Sequence, residues 1–292
     1  LHSLGWEAEH NQREETRTTL ETSATGMRAL NGEVGDTLQA RTLRTALWAQ
    51  DEWTVTPQWS LQGGLRWEAL DTTSDAADGR LGSRSSVLTP LFHAAWKPFE
   101  GGKDQVRLSL TRSYRAPTLA NLIARRSEAT GTNLETNPDR AGNPQLRPEL
   151  ATGLDLAFEH YLPAGGVLSI GVFERRIDQL IRSRTTLETV DGVSRWVSRP
   201  QNIGDAVTRG VELEAKFRLS EVVAEDAPPL EVRANLSAFR SRVTSVSGPD
   251  NRLDKQPDWS ANLGGDWRVR GLPLVLGASL NFTPGYTIQL SD

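Results

Sequence analysis

Long stretches of strictly alternating apolar and polar residues restrict the fold of this chain more than any other feature of its sequence. In residues 211–219, VELEAKFRL, every second residue is apolar and the residues between them are charged. Successive side chains of a β-strand point to opposite faces, so this segment predicts a strand with one apolar and one ionic face. The pattern recurs at 60–70, 230–240 and 258–269. The sequence therefore predicts an all-β protein.

The predicted strands are unusually long. Eleven can be drawn, roughly at 1–12, 40–55, 59–70, 87–97, 104–115, 147–161, 166–182, 196–219, 230–243, 257–270 and 272–287. Strands of globular proteins usually have about five or six residues, whereas tilted membrane strands need about 9–11. Mean hydropathy is only −0.46, but alternating strands average to a polar composition, so this value does not exclude strands that cross a membrane.

The predicted connections alternate between short and long. The short ones lie near Pro57, at 98–103, 163–166 and 271–272, with a somewhat longer one at 220–229; the long ones lie at 13–39, 71–86, 116–146, 183–195 and 244–256. An up-and-down barrel produces this alternation when one rim carries tight turns and the other carries functional loops. The pattern predicts an antiparallel up-and-down transmembrane β-barrel.

Tryptophan placement agrees with this fold. The chain has nine Trp and three Tyr, and Trp is enriched where an apolar region meets a wet one, including membrane interfaces. Four lie beside short turns and three towards the long-loop ends: Trp53, Trp59, Trp96 and Trp267, and Trp6, Trp67 and Trp259. The alternative interpretation is that Trp packs readily in any strand or core.

Several classes of function find no support in the sequence. The 33 basic and 37 acidic residues are interspersed and give a net charge of −4, which argues against a nucleic-acid partner. The chain has no Cys, and its four His are dispersed without metal-ligand spacing. No GxSxG or phosphate-binding loop is present, and the carboxylates are scattered along the polar faces. We expect no catalytic residues, no metal site and no cofactor.

Five segments, in order along nearly the whole chain, resemble the barrel of TonB-dependent outer-membrane receptors. They are ALWAQDEWTVTPQWSLQGGLRWE (46–68), SLTRSYRAPTLANL (109–122), GNPQLRPELATGLDLAFEH (142–160), NIGDAVTRGVELEAKFRL (202–219) and TPGYTIQLS (283–291). The best matches are NPQLRPE and TRGVELE. The resemblance implies a barrel of 22 strands around a plug. About eleven of those strands are expected here, roughly strands nine to nineteen, with the plug domain and the last strands absent from residues 1–292.

The resemblance also implies a function. A receptor of this family lies in the outer membrane of a Gram-negative bacterium and binds a scarce nutrient at its extracellular loops. It imports the nutrient to the periplasm with energy from the TonB–ExbB–ExbD complex, which acts on the plug. The expected partners are the lipid bilayer, this complex and a small ligand, with a ferric siderophore as the leading ligand. The alternatives are a passive outer-membrane porin or adhesin barrel, or a secreted all-β binding module.

Three arginines are candidate ligand-binding residues because they lie in or beside the longest predicted loop. They are Arg115, Arg125 and Arg126. Positive charge over the mouth of a barrel would attract anionic ligands such as ferric chelates. The alternative interpretation is a solvated charge cluster. In the same loop, Leu119, Leu122 and Ile123 are expected to form a short helix packed against the rim.

A second set of residues is predicted to face the barrel lumen. These residues occupy the polar faces of two strands: Arg66, Glu68, Glu212, Glu214, Lys216 and Arg218. Their mixed sign suits a wet wall around a polar plug better than an ion-selective pore. Opposite charges on neighbouring strands also stabilise a sheet, so a purely structural role remains the alternative.

Overall fold

Antiparallel strands make up most of the structure. The computed structural model describes residues 2–16, 19–30, 37–76, 79–123, 126–190, 192–247 and 251–286. In chain order the elements are β1 (His2–Thr16), β2 (Thr19–Ser23), β3 (Gly26–Leu30), β4 (Thr37–Thr56), β5 (Trp59–Ala76), β6 (Gly79–Trp96), β7 (Gln105–Arg115), α1 (Leu119–Leu122), β8 (Arg126–Ser127), β9 (Asp139–Ala141), β10 (Glu149–Tyr161), β11 (Val167–Asp178), β12 (Ile181–Val190), β13 (Val193–Asn202), β14 (Ala206–Arg218), α2 (Leu219–Val222), β15 (Leu230–Val243), β16 (Trp259–Arg268) and β17 (Val275–Phe282).

Eleven of these strands form one sheet, in the order β1-β4-β5-β6-β7-β10-β11-β14-β15-β16-β17. Each strand pairs antiparallel with the strand that precedes it in this order. The arrangement is up-and-down, and each sheet strand overlaps one of the eleven predicted. β1 and β17 lie at the two ends, so the described strands form part of a barrel that is not closed. The predicted fold class is confirmed.

The register places apolar side chains in unbroken rows across the sheet. One row crosses nine strands through directly paired residues: Trp59, Trp96, Val106, Phe158, Ile170, Leu213, Leu236, Ala261 and Phe282. Most of its side chains are well exposed, and Leu213 keeps 42% of its surface accessible. Trp59 and Trp96 stack with ring centroids 5.7 Å apart. We call this the outer face.

The opposite face carries polar rows. The row shifted by one residue from the apolar row consists of Gln105, Glu159, Ser169, Glu214, Asn235, Asn262 and Asn281. Within it, Gln105 Nε2 donates to Glu159 Oε2 at 2.7 Å, and Asn262 Nδ2 donates to Asn235 Oδ1 at 2.6 Å. Because a shift of one residue would exchange the two faces, this separation fixes the register. We call this the inner face.

Two predicted loops are wrong because strand pairing continues through them. The predicted connection 71–86 is occupied by the ends of β5 and β6, which pair as far as Ala76 and Gly79. Most of 13–39 likewise belongs to β1, β4 and the β2–β3 hairpin. Residues such as Thr72 and Thr73 lack apolar alternation, so the period-2 signal ends there. Backbone pairing does not need that signal, and β-branched Thr tolerates extended backbone.

The predicted strand 196–219 is two strands in the structure. β13 ends at Asn202 and β14 begins at Ala206, with Gly204 between them at a φ of 122°, which favours glycine. The predicted loop 183–195 is the hairpin formed by β12 and β13, which pair over ten residues on each strand. Strict alternation covers only residues 211–219 of this segment, so the pattern did not locate the break before Ala206.

Two short helices complete the described structure. α1 confirms the short helix predicted near Leu119: Thr118 caps it by accepting from the backbone N of Asn121, and Leu122 and Ile123 are buried. α2 lies at the β14–β15 turn. In the part of the chain that the structure describes, no helix has the length and apolar character needed to span a membrane.

An apolar core lies beneath the long connections at one end of the sheet. Leu180, Ala206, Val243 and Val246 are buried together, and Ile177, Ile203 and Leu253 pack against them. The register places Ile177, Ala206 and Val243 in one row on the inner face. At this end the inner face is therefore covered by the chain's own connections, which are held in a defined place.

Candidate functional site

The connections β7–β10 (116–148) and β11–β14 (179–205) fold together at the long-connection end of the sheet. We call these two segments the loop assembly. Their strands form a four-stranded sheet in the order β12-β13-β9-β8, in which β13 and β9 pair in parallel. Val197 is fully buried in this sheet and Leu146 is 3% exposed. The loop assembly is thus a small folded unit with its own buried residues.

Gly142 brings two parts of the first connection into close contact. Its backbone N donates to Ile123 O at 2.9 Å, and the N of Asn143 donates to Asn121 O at 2.6 Å. A Cβ at position 142 would lie 2.1 Å from Ile123 O. No side chain fits there, so glycine is required for the chain after β9 to pass α1 this closely.

Two asparagines join the connections to each other. Asn143 Nδ2 donates to Pro200 O at 3.1 Å. Asn202 Nδ2 donates to Arg147 O at 3.0 Å, and the N of Arg147 donates to Asn202 Oδ1 at 2.9 Å. The GNPQLRPE segment therefore fastens the first connection to the β12–β13 hairpin. Its prolines agree with the prediction that a strand begins near Glu149, where β10 starts.

The electrostatic centre of the loop assembly is Asp139, whose side chain is fully buried. Arg195 Nε donates to its Oδ2 at 2.6 Å and Arg126 Nη1 at 2.7 Å. The backbone N of Ala129 donates to Oδ1 at 2.8 Å, and Asn133 Nδ2 donates to the same atom at 3.2 Å. Four residues therefore donate to one carboxylate. Arg126 lies in β8, Ala129 and Asn133 lie between β8 and β9, and Arg195 lies in β13.

This hydrogen bonding changes the acidity of Asp139. Burial alone raises the pKa of its carboxyl, but the hydrogen bonds from Arg195, Ala129 and Arg126 outweigh burial and hold the pKa well below its usual range. The same contact raises the pKa of Arg195, since its guanidinium donates to Asp139. Asp139 is therefore ionised throughout the physiological pH range.

Arg115 and Arg126, the two predicted ligand-binding arginines that the structure describes, are not brought into one group. Arg115 lies at the end of β7 and makes two contacts with Glu149, Nε to Oε2 at 2.6 Å and Nη2 to Oε1 at 2.7 Å. Arg126 lies in the loop assembly against Asp139. Arg125 is outside the described residues. The side chain of Arg115 is 70% exposed, so it has surface to offer a ligand, whereas Arg126 has a structural role already.

Glu149 connects the sheet to the loop assembly. Its carboxylate is 7% exposed and also accepts from the backbone N of Ile181 at 2.6 Å. The pair Arg115–Glu149 therefore joins the ends of β7 and β10 to the start of β12. The Arg115 guanidinium is held at the boundary between the inner face and the loop assembly.

The predicted lumen-facing residues of β5 belong to a charged network on the inner face. Arg66 Nη2 lies 2.8 Å from Glu7 Oε2 and 2.9 Å from Glu68 Oε2. Arg44 Nη2 lies 2.8 Å from Glu9 Oε2, and its Nη1 lies 3.4 Å from Glu68 Oε1. Glu68 is 3% exposed. Opposite charges on neighbouring strands alternate here, which stabilises the sheet.

The predicted lumen-facing residues of β14 share one face with this network but are more open. Glu212, Glu214 and Lys216 are exposed. Glu214 and Lys216 line a depression of about 570 Å³ together with Arg233, Asn235, Asn262 and Asp266. The backbone N of Arg218 donates to Glu221 Oε2 at 2.8 Å, and Arg218 is the N-cap residue of α2. The register places all four on the inner face, while their contact with a plug stays a prediction.

An aromatic pair on the inner face was not predicted. Phe173 and Phe239 lie 6.3 Å apart between ring centroids, on either side of Gly210, and Arg175 lies 5.5 Å from the Phe173 centroid. A Cβ on Gly210 would lie 2.7 Å from the Phe173 ring. Phe173 also lines a second inner-face depression of about 590 Å³, with His93, Ser109, Asp155 and Glu212. Period-2 counting puts Phe173 on the polar face, which was the available signal.

No metal-binding arrangement is seen in the described part of the chain, where no three His, Cys, Asp or Glu residues gather in ligand geometry. The larger features are two polar inner-face depressions and a loop assembly held by buried charge. Such a site offers hydrogen-bonding and charged groups to a polar ligand. The fold and this site together define a barrel of the outer-membrane type with a structured mouth.

The sequence matches a known family. A family profile described as "TonB dependent receptor-like, beta-barrel" matches residues 3–290. The chain belongs to this family, which consists of receptors and transporters. No curated protein sequence matches the chain.

Solved structures share the fold at low sequence identity. The ferric-catecholate import receptor Fiu of E. coli K12 is 14% identical, with a TM-score of 0.62 over 96% of this chain and 41% of its own. The hemophore receptor HasR of Serratia marcescens is 13% identical, with a TM-score of 0.66 over 97% and 53%. The siderophore receptor PiuA of Acinetobacter baumannii is 15% identical, with a TM-score of 0.64 over 97% and 43%. The chain spans about half the length of these structures or less.

Proposed function

We propose that this chain is the barrel portion of an outer-membrane receptor that imports a scarce nutrient, with a ferric siderophore as the leading ligand. The family match over residues 3–290 carries the proposal. The continuous apolar outer face supports it, because an open row of exposed apolar side chains has no partner in water and fits the hydrocarbon of a bilayer. The plug and the remaining barrel strands would belong to the same protein, outside residues 1–292.

Energy for import would come from the TonB–ExbB–ExbD complex, acting on the plug. The inner face supports a polar plug, since charges of both signs line it, from the Arg66 network to the open Glu212, Glu214 and Lys216. Mixed signs suit a wet wall around a polar plug better than a strongly ion-selective pore. The proposed role includes no catalysis and no cofactor.

The ligand would be bound at the mouth formed by the loop assembly. Arg115 is the described residue best suited to contact an anionic chelate, because its guanidinium is exposed while Glu149 fixes its position. Arg126 would contribute indirectly, because its ion pair with Asp139 stabilises the loop assembly. Arg125 is proposed on its place in the sequence alone. The siderophore, hemophore and ferric-catecholate receptors among the structural neighbours support iron as the cargo.

Growth under iron limitation tests the proposal. A strain lacking the full-length receptor would be grown with a panel of ferric chelates, each as the sole iron source, and complemented with the wild-type gene. We expect at least one chelate to support growth only in the complemented strain. If every chelate supports both strains equally, iron uptake is contradicted.

Ligand contact by Arg115 has its own test. Arg115→Gln in the full-length receptor should weaken binding of the transported chelate about tenfold, the loss of one charged contact. Arg147→Gln is the matched control, because Arg147 is exposed nearby and its hydrogen bonds to other described residues are made by its backbone. Equal affinity of both variants would remove Arg115 from the site.

A further inference from the structure

The outer face carries a group of arginines at the long-connection end of β7, β11, β14 and β15. We call them the outer arginine cluster: Arg112, Arg176, Arg209, Arg240 and Arg242. The register places them on the same face as Leu110, Leu154 and Val211. Arg209 and Arg240 lie in the row of paired residues that contains Leu110 and Leu154, and the other three arginines lie two residues from that row along their strands. Two carboxylates, Glu174 and Asp178, lie on the same face of β11. The cluster therefore has an excess of positive charge.

One arginine of the cluster has an ion pair among the described residues, and the register also places Glu174 directly opposite Arg209. Arg176 Nε contacts Glu174 Oε1 at 2.9 Å. Arg209 and Arg240 are exposed and directly opposite each other, and neither they nor Arg242 make an ion pair within the residues described. Arg112 Nε is buried and has no hydrogen-bond partner there. Like charges directly opposite each other destabilise a sheet, so this arrangement fits a bound anion.

An apolar depression lies directly beside the arginines. Its volume is about 680 Å³, and Leu154, Leu156, Val172, Val211 and Ala238 line it. Arg209, Arg240 and Glu174 also line it. The apolar depression and the adjacent arginines complement the two parts of an acylated lipid, its acyl chains and its anionic headgroup.

Tryptophan marks the level of this site along the sheet. Trp259 is paired directly with Ala238 and stacks on Phe282 with centroids 4.9 Å apart. Interfacial Trp lies where headgroups meet acyl chains. Arg240 is two residues from Ala238 towards the long connections, which puts the cluster on the headgroup side of that level.

We propose that the outer face binds a phosphorylated, acylated lipid, with its phosphates on Arg209 and Arg240 and its acyl chains in the apolar depression. One guanidinium group can bind two oxygens of a phosphate at once. Two opposed arginines therefore suit a headgroup with more than one phosphate. The lipid neutralises the repulsion between Arg209 and Arg240. The inference rests on the proposed function only in that the outer face meets lipid; it adds a site that nutrient import does not require.

Native mass spectrometry of the delipidated full-length receptor tests this site. The probes are bisphosphoryl lipid A, monophosphoryl lipid A and dioleoylphosphatidylcholine, with inorganic phosphate as a competitor. We expect one bisphosphoryl lipid A to be retained more tightly than the other two lipids. Arg209→Gln with Arg240→Gln should weaken its binding at least about tenfold, and phosphate alone should not displace it.

Two further variants sharpen the result. Ala238→Trp should also weaken binding, because the indole fills the depression while an outward Trp is tolerated at an interface. Arg41→Gln with Arg147→Gln is the charge-matched control, since Arg41 lies on the outer face of distant β4 and Arg147 in the loop assembly. This control should bind lipid as the wild type does.

Three results would overturn the site: unchanged lipid affinity in the Arg209/Arg240 variant, equal losses in that variant and the control, or displacement by phosphate as effective as by lipid. The last would mean an anion site without a lipid. If the lipid site is absent, chelate-dependent growth is unaffected. If the proposed import function is wrong, that growth is absent, so the two experiments distinguish the two failures.

Discussion

At the scale of single residues, Asp139 has the largest effect on the mouth of the barrel. Its buried carboxylate accepts from Arg126 and Ala129 in the first connection and from Arg195 in the β12–β13 hairpin, so it joins the two segments of the loop assembly. Removing the charge would take from Arg195 and Arg126 the carboxylate to which both donate. Hydrogen bonds to charged groups contribute about 1.5–3 kcal/mol each, more than a typical exposed ion pair.

Asp139→Asn in the full-length receptor should therefore open the loop assembly locally. We expect the free energy of opening, measured by amide hydrogen exchange across residues 126–148, to fall by about 1.5–3 kcal/mol. Asp226→Asn, an exposed aspartate in the β14–β15 turn, is the control and should exchange as the wild type does. Equal protection in the two variants would mean that Asp139 does not hold the assembly.

The same carboxylate sets a pH dependence. The pKa of Asp139 is lowered in the folded state, so its contribution is complete above the unfolded value near 3.9 and is lost as pH falls through the lower folded value. Protection of residues 126–148 should stay constant from pH 8 to about pH 5 and fall only in stronger acid. The Asn variant should lack this acid step. Loss of protection between pH 7 and pH 5 would contradict the assignment.

Gly142 is a second decisive residue. Gly142→Ala places a Cβ against Ile123 O, a backbone atom that cannot move aside without displacing α1. We expect faster proteolysis within 116–148 in this variant. Gly82→Ala is the control, because its Cβ would lie 3.8 Å from the nearest atom, Thr72 O, which is an ordinary contact. If both variants resist protease equally, the close passage at Gly142 is wrong.

At the scale of elements, the two-faced strands were predictable and the loop strands were not. Alternation in residues 211–219 predicted β14 and both of its faces, because burial on one side constrains every second residue. The β12–β13 hairpin and β9 are stabilised by Asp139, Asn143 and Asn202, whose contacts span more than 50 residues along the chain in several cases, such as Asn143 to Pro200. A local pattern of apolar and polar residues does not predict contacts between residues so far apart in the sequence.

The assignment of faces on β14 gives a directional prediction. Leu213→Arg in the full-length receptor should cost about 2–4 kcal/mol of barrel stability, because Leu213 lies in the middle of the apolar row and the charge would enter lipid. Glu214→Arg, one residue away on the inner face, should cost much less. The measurement is denaturant-induced unfolding in lipid vesicles. Equal costs would mean that the inner and outer faces are wrongly assigned.

At the scale of the whole molecule, the described sheet has two open edges and an exposed apolar face. β1 and β17 each have a neighbour on one side only, and unpaired edges with apolar surfaces promote association. We expect residues 1–292, expressed without detergent, to aggregate or form mixed oligomers. Size-exclusion chromatography with light scattering measures this. A monodisperse monomer with two-state unfolding would favour the alternative of a secreted all-β module.

The family could be recognised from sequence at this scale, while the ligand could not. GNPQLRPE and TRGVELE occupy positions fixed by the fold: the first joins the loop assembly to β10, and the second enters the sheet at Gly210 between Phe173 and Phe239. Such positions tolerate few residues, which makes them recognisable. Ligand choice depends on exposed side chains such as Arg115, which the fold leaves free to vary.

Uptake of a labelled ferric chelate is the most direct test of energised nutrient import by the full-length receptor. Cells producing the full-length receptor would receive the chelate identified by growth, with and without a functional TonB protein. We expect binding to both cells but accumulation only in cells with TonB. Equal accumulation in both would contradict it and indicate a passive barrel.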